Sequence, residues 1–411
     1  MNEREQTPPT ARADVIIAGG GLVGMSLGVA LAGAGLDVAV IDAETPEAMR
    51  AKGFDGRVSS IALGSKRVLD GIGVWPGMAA AAEPILEIRV SDGDAPLFLH
   101  YDHREVGPDP LGHIVENRDT RVALLDTASR CPTLRHLAPA RVERLTPEPG
   151  GIVAVLADGR TVKASLAVVA EGRDSKLRAA AGIGVTSWRY KQVGIVCTVA
   201  HERPHRGIAH ERFLLAGPFA ILPMRGNHSS LVWTEREDLA PGLLALPDAA
   251  FHAEMARRFG DFMGRLEIVG PRWSYPLSLS HAERYSAERL ALIGDSAHAM
   301  HPIAGQGFNL GIRDVAALAE LIVDQRRLGL DIGTKDVLAH YERWRRFDSL
   351  ALIAVTDGLN RLFSNDVAPV VLARDLGLAA VNQLKPLKRL FMRHAMGLVG
   401  DLPRLARGER L

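Results

Sequence analysis

Apolar residues first fall into a pattern after residue 13. Residues 1–13 are polar, carry Pro8 and Pro9, and read as a flexible tail. Residues 14–18 then predict a buried strand, 22–34 a helix and 38–41 a second strand, the βαβ order that starts a doubly wound sheet. From Val15 to Leu36 no residue is charged, so the stretch is long enough to mimic a membrane span, and Ala30-Leu31-Ala32 resembles a signal-peptidase site. Glycines spaced through its first half, with Asp14 directly in front, favour a strand–turn–helix instead.

Farther on, 85–101 alternate weakly, as strands do, and 118–129 place Val122, Leu124 and Leu125 at helical spacing. Residues 151–170 read as a hairpin turning at Asp158-Gly159 and feeding a strand over 166–170. The texture changes over 185–276, where short β-like runs at 193–199, 219–223 and 229–234 precede a helix over 248–259. A strand at 290–293 returns to the first domain, and beyond Gln306 the pattern is mostly helical. The expected class is α/β. A Rossmann-like domain covers 14–184 and 277–325, an inserted mixed-sheet substrate domain 185–276, and a C-terminal helical region 326–411.

Composition narrows the function classes. Hydrophobic residues make up 47% and charged residues 24%, the balance of a globular chain rather than a disordered one. Lys plus Arg number 49 against 48 Asp plus Glu, which leaves no overall field to draw nucleic acid, and none is expected as a partner. Cys131 and Cys197 make no CxxC pair and no metal-ligand spacing, so no metal is expected. A reducing, cytoplasmic setting is favoured over a structural disulfide.

The candidate chemistry starts at Gly19-Gly20-Gly21-Leu22-Val23-Gly24, a G-x-G-x-x-G run that follows a predicted strand and opens a predicted helix. Gly19 permits the tight turn, Gly21 lets backbone approach a pyrophosphate, and Gly24 lets helix and strand pack closely. The helix start offers free N–H groups and partial positive charge to phosphates, and Asp42, ending the second strand, is placed for ribose hydroxyls. The run alone does not separate FAD from NAD. No second such run occurs, so a dedicated dinucleotide site for NAD(P)H is absent. In the later segment an apolar strand ends at Gly294-Asp295, and Gly305-Gln306-Gly307-Phe308-Asn309 opens a helix. Asp295 is placed to hold a polyol such as a ribityl chain, and the helix start aims backbone donors at an electron-rich ring edge.

Together these segments resemble the flavoprotein hydroxylases in which the glycine fingerprint, a "DG" segment and a "GD" segment share one FAD. Ala170-Glu171-Gly172-Arg173-Asp174-Ser175, followed by Arg178, looks like the DG segment, with Glu171 where the usual residue is Asp. Phe54 to Leu63 resembles the D-x-R-x-x-A-L segment of the ubiquinone-biosynthesis hydroxylases, Val115-Glu116-Asn117-Arg118 their V-E-N-R helix start, and His301 to Gly311 their most distinctive run. The resemblance implies a p-hydroxybenzoate-hydroxylase-like fold. It places Arg57, Arg118, Glu171, Gly172, Gly294, Asp295 and the Gly305–Asn309 turn along the FAD, although Arg57 and Arg118 also read as ordinary surface arginines. It implies NAD(P)H or another donor reducing FAD, and O2 reacting to a flavin C4a-hydroperoxide that hydroxylates an aromatic ring. His298 and His301 are either proton relays or hydrogen-bonded loop histidines.

A polyprenylated phenol or quinol is the implied substrate, and each buried CH2 of its tail would contribute about 0.8 kcal/mol. Phe213, Phe219, Leu222 and Pro223 are candidates for the lining of an apolar cavity, with plain sheet core as their other reading. Residues 386–398 carry Leu387, Leu390, Phe391 and Leu398, flanked by Lys385, Lys388, Arg389 and Arg393. They suit peripheral contact with the inner face of a membrane, or packing on the core. The alternatives are a hydroxylase of a soluble aromatic acid and a non-catalytic FAD-bearing subunit of a quinone-synthesis complex.

Overall fold

A computed structural model of the chain describes residues 11–51, 53, 54, 56–93, 98–300, 305–363, 374, 377 and 380–411. Val15–Ala18 is the centre of its first sheet, paired in parallel with Val38–Ile41 on one side and Leu166–Val169 on the other. Leu134–Leu137 and Leu290–Leu292 extend the parallel ladder outward, and Ser286–Ala287 closes one edge antiparallel. The three central strands are short, continuous apolar runs because helices or further strands cover both faces. The helix Leu22–Gly33 buries every residue from Gly24 to Ala32. The charge-free stretch is therefore a strand, a turn and a helix inside one core. Among the described residues no helix is long and apolar enough to cross a membrane. The hairpin Gly151–Leu156 and Thr161–Ala164 turns at Gly159, which takes φ +85°.

The second large sheet has eight strands among the described residues. Its two longest, Val185–His201 and Leu266–Ala282, are far longer than the apolar runs within them. Their register shifts between Arg189 and Gln192 and again between Val196 and Thr198, so hydrophobic alternation persists only between the bends. The sheet is also wider than residues 185–276. Glu87–Asp92 pairs in parallel with Ile208–Leu214, and Phe98–Asp102 then forms the edge. Parallel pairing of strands more than a hundred residues apart leaves no local trace in sequence.

The two faces of this sheet have different fates. Ile195, Cys197, Phe219, Ile221, Leu231 and Trp233 point outward and form a closed core with Phe251, Met255 and Phe259 of the helix Asp248–Phe259. The opposite face turns to the cofactor domain, where Ala209, Leu222 and Met224 pack with Leu63 and Ile114, and with Met392 and Met396 of the C-terminal region. Cys131 and Cys197 are free thiols.

Candidate functional site

The three fingerprint glycines differ in what a side chain would meet. Gly19 takes φ +105°, and a Cβ there would lie 2.4 Å from the Ala170 carbonyl oxygen. At Gly24 a Cβ would lie 2.0 Å from the Gly19 oxygen, so only glycine lets this helix approach the strand turn. At Gly21, the residue before the helix, a Cβ would meet nothing within 4 Å. That open side is where a pyrophosphate could approach the backbone. The helix Leu22–Gly33 has no side-chain cap and no acidic residue in its first turn, which leaves its N–H groups and partial positive charge for an anionic ligand. Asp42 accepts from Gly20 N–H (2.6 Å) and Glu44 N–H (2.8 Å) and stays half-buried beside the turn.

The DG and GD segments meet through a residue that the sequence reading passed over. Ser296 Oγ accepts from Gly172 N–H (3.0 Å) and donates to Gly172 O (3.1 Å), and its carbonyl accepts from the buried Arg178 (3.0 Å). The Glu171 carboxylate accepts from Ser175 Oγ (2.7 Å) and Leu177 N–H (3.2 Å), so it caps the short helix Lys176–Ala180. The extra methylene relative to aspartate lets it reach that far along the chain. Gly294 takes φ +58° and donates from N–H to Asp314 Oδ2 (3.0 Å). Next to it, Asp295 accepts no hydrogen bond among the described residues. Its side chain is open to solvent, yet protein crowds around it: burial pushes its carboxyl above its ordinary value, against the pull of His298 and Arg173. An accessible but surrounded carboxylate suits a hydrogen-bonding ligand such as a ribityl chain.

The second helix start lies nearby. Gln306–Arg327 begins at Gly305, φ +62°, again without a side-chain cap or an acidic first turn. Gly311 on this helix packs against Val23, beside Gly294, which brings the two uncapped helices together. Gly307 is open on its Cβ side, while the buried Gln306 precedes it. Two further residues of this turn also make contacts within the protein. The Asn309 amide accepts from Ala62 N–H (2.9 Å) and donates to Ser60 O (2.8 Å), clamping the strand Val58–Ala62 to the helix. The Phe308 ring packs against the main core. His298 is buried, with Nε2 donating to Asp314 Oδ2 (2.6 Å), so it braces the GD turn. Burial raises the Asp314 carboxyl, but His298 and Arg345 outweigh this and hold it below the usual carboxylate range. His301 lies outside the described residues.

A cleft of about 470 Å³ separates the cofactor domain from the inner face of the large sheet, with Phe54 and Arg118 on one wall and Thr198, His228 and Trp273 on the other. Arg118 pairs with Glu116 (2.6 Å), and Arg57 lies 5.9 Å from the Tyr275 ring centre. Of the four expected lining residues, Phe213 and Leu222 share the inner face with Ala220 and Met224. Phe219 belongs to the opposite face and is fully buried under the helix Asp248–Phe259. Pro223 shares that outward parity. Alternation along a strand separates these neighbours, and an apolar run does not reveal which parity faces in. The inner face is not uniformly apolar either. Among the described residues, Thr198, Ser230 and Thr234 place buried hydroxyls there without a partner, and Glu211 lies on it too. None stood out in the sequence, because their shared face exists only once the strands pair.

The uncapped helices, the open glycine sides and the unpaired Asp295 fit an FAD laid from Asp42 to Gly305. Residues 12–346 match the family described as FAD binding domain. The chain is 58% identical to the ubiquinone hydroxylase UbiL of Rhodospirillum rubrum, over 97% of its own length and 94% of that protein's. It is 32% identical to the 3-demethoxyubiquinol 3-hydroxylase of Escherichia coli (94% and 98% covered) and 31% identical to the mitochondrial ubiquinone biosynthesis monooxygenase COQ6 of Homo sapiens (93% and 92%). In fold it matches the crystal structure of p-nitrophenol 4-monooxygenase PnpA from Pseudomonas putida, with TM-score 0.79 at 17% identity, covering 95% of this chain and 99% of that one. The chain belongs to the ubiquinone-biosynthesis hydroxylase family of FAD-dependent aromatic monooxygenases, with the p-hydroxybenzoate-hydroxylase-like fold.

Proposed function

We propose that this protein hydroxylates the aromatic ring of a polyprenylated phenol or quinol precursor of ubiquinone. The carrying observation is a domain that holds two uncapped helix starts and the accessible Asp295 and that borders the inner side of the large sheet across a cleft. Bound FAD, reduced by NAD(P)H or another donor, supplies the activation of O2 and the oxygen atom transferred to the ring. The chain's own groups do the rest. The Leu22–Gly33 helix start and Asp42 hold the nucleotide end, Asp295 holds the ribityl chain, and the backbone at Gly305–Gly307 donates to the flavin's electron-rich edge. The sheet covers the ring and excludes water.

An aromatic acid is the weaker substrate. At the centre of the inner face Glu211 would oppose a carboxylate, and the arginines of the cleft, Arg118 and Arg225, share it with Glu116 and Asp119. Substrate-stimulated O2 consumption with a prenylated phenol and its tail-less acid analogue tests the reading. Efficient turnover of the prenylated compound alone is expected, and equal turnover of the acid would replace this reading with the other.

Peripheral membrane contact belongs to the same proposal. The helix Lys385–Ala395 buries Met392, and Lys388 pairs with Glu105 (2.6 Å), while Leu384, Leu390 and Phe391 stay exposed beside Lys385, Arg389 and Arg393. The helix Lys335–Phe363 exposes Phe347, Leu350 and Val355 as well. Co-sedimentation with anionic vesicles, lost in Leu390→Ser/Phe391→Ser, is the expected result for a cytoplasmic protein that works at the membrane's inner face.

A further inference from the structure

Glu211 stands where the sheet gives a carboxyl group no reason to be. On the strand Ile208–Leu214 it pairs with Ala220 on one side and Val90 on the other, and beyond Ala220 the same row continues through Val232. Both ends of its strand are closed by packing. Ala209, two residues before it, packs with Leu63 and Ile114 of the cofactor domain, and Phe213, two residues after it, stacks on Phe363 with ring centres 4.0 Å apart. Between those contacts Glu211 is crowded by protein but keeps part of its surface accessible.

No hydrogen bond or ion pair satisfies Glu211 among the described residues. Other titratable groups share its face without relieving it. Asp92 is tied to Arg374, burial pushes the Tyr101 phenol to about 12, and His228 lies beyond Met224 near the far end of the face. Burial alone moves the Glu211 carboxyl, up to about 7. A buried acid without a partner costs free energy that folding does not need, and such groups mark functional sites.

The chemistry around it has the dimensions of a substituted ring. Ser230 and Thr234 flank Val232, which lies two strands and about 10 Å across the sheet from Glu211. Small Ala220 lies between the two polar edges. A benzenoid ring lying over Ala220 would meet a carboxyl at one edge and unpaired hydroxyls at the other.

We propose that Glu211 is the residue that receives the ring hydroxyl of the phenol and accepts its proton during hydroxylation. The inference rests on the functional reading above. At this step only the phenol O–H bond breaks. The proton passes to a Glu211 carboxylate oxygen, and the electron pair stays on the phenolic oxygen, where it enriches the ring carbons that take up oxygen. A free phenol titrates near 10, so an acid raised to about 7 narrows the mismatch that an ordinary glutamate would present.

The test uses FAD-loaded wild type, Glu211→Gln and Glu211→Asp with one short-chain prenylated phenol. Binding is followed by the change in the flavin spectrum, and turnover by phenol-dependent O2 uptake across pH. Wild type is expected to lose turnover as pH falls through about 7. Glu211→Gln should bind the phenol within about threefold of wild type, lose on the order of a hundredfold or more in kcat, and lose that pH limb. Glu211→Asp should recover part of kcat together with the limb, which a merely structural role would not produce. Wild-type turnover with Glu211→Gln unchanged in kcat and pH profile overturns this inference alone. A wild-type protein that neither binds nor turns over the phenol overturns the functional reading, and this inference with it.

Discussion

The nucleotide half of the site and the substrate half are built by different rules. The nucleotide half is local. Gly19, Gly21 and Gly24 lie within six residues; Gly19 and Gly24 answer contacts made by the strand turn and helix that they join, and Gly21 leaves its side open. The substrate half is assembled across strands, so Glu211, Ala220, Ser230 and Thr198 become neighbours only through pairing. A cofactor shared by many enzymes is held mainly by backbone, which constrains glycines and helix starts. One particular ring is recognised by side chains, and those depend on register.

The comparison breaks most visibly at Gly24. Gly24→Val should abolish FAD retention and soluble yield together, because its side chain would collide with the Gly19 carbonyl. Soluble, FAD-loaded variant protein would show that helix and turn are not locked as described. Next in size is the outer face of the sheet. Phe219→Ala should cost about 3–5 kcal/mol in thermal or denaturant unfolding, because the ring is fully buried against Trp233. Leu222→Ala on the inner face should cost clearly less and act on substrate affinity instead. Equal losses would erase the distinction between faces.

Asp295→Ala sharpens the comparison from the cofactor side. A lost hydrogen bond to a charged group corresponds to about 1.5–3 kcal/mol, so FAD should bind about ten- to a hundredfold more weakly while the melting temperature of the FAD-free protein changes little. Unchanged affinity would remove Asp295 from the flavin site. A further effect concerns pH. The folded-state value of Glu211, about 7, lies above its ordinary 4.5. Its contribution to stability is therefore complete below 4.5 and lost as pH rises through about 7. Glu211→Gln should leave the melting temperature unchanged at acid pH and raise it at about pH 8. A pH-independent shift would mean that the carboxyl is not buried.

Much of the cofactor half was legible in sequence. Strand 38–41 and helix 248–259 fall where the pattern places them, because apolar periodicity reports burial directly. Legibility ends where a side chain has a non-local partner. The Asn309 amide spans Ser60 and Ala62, and the Glu171 carboxylate caps Lys176–Ala180, partners that the sequence does not reveal. His298 is hydrogen-bonded through Nε2 to Asp314, sixteen residues on, a partner that the sequence does not name. The strands Glu87–Asp92 and Phe98–Asp102 were foreseen as strands, but their membership of the distant sheet was not, since parallel pairing has no sequence period.

The central claim is that these two halves together hydroxylate a prenylated ring on the way to ubiquinone. Lipid extraction from cells lacking this gene tests it most directly. The account predicts accumulation of a prenylated quinone precursor short of one ring hydroxylation, cleared by the wild-type gene and not by one encoding Gly24→Val. Normal ubiquinone with no accumulated precursor would contradict it.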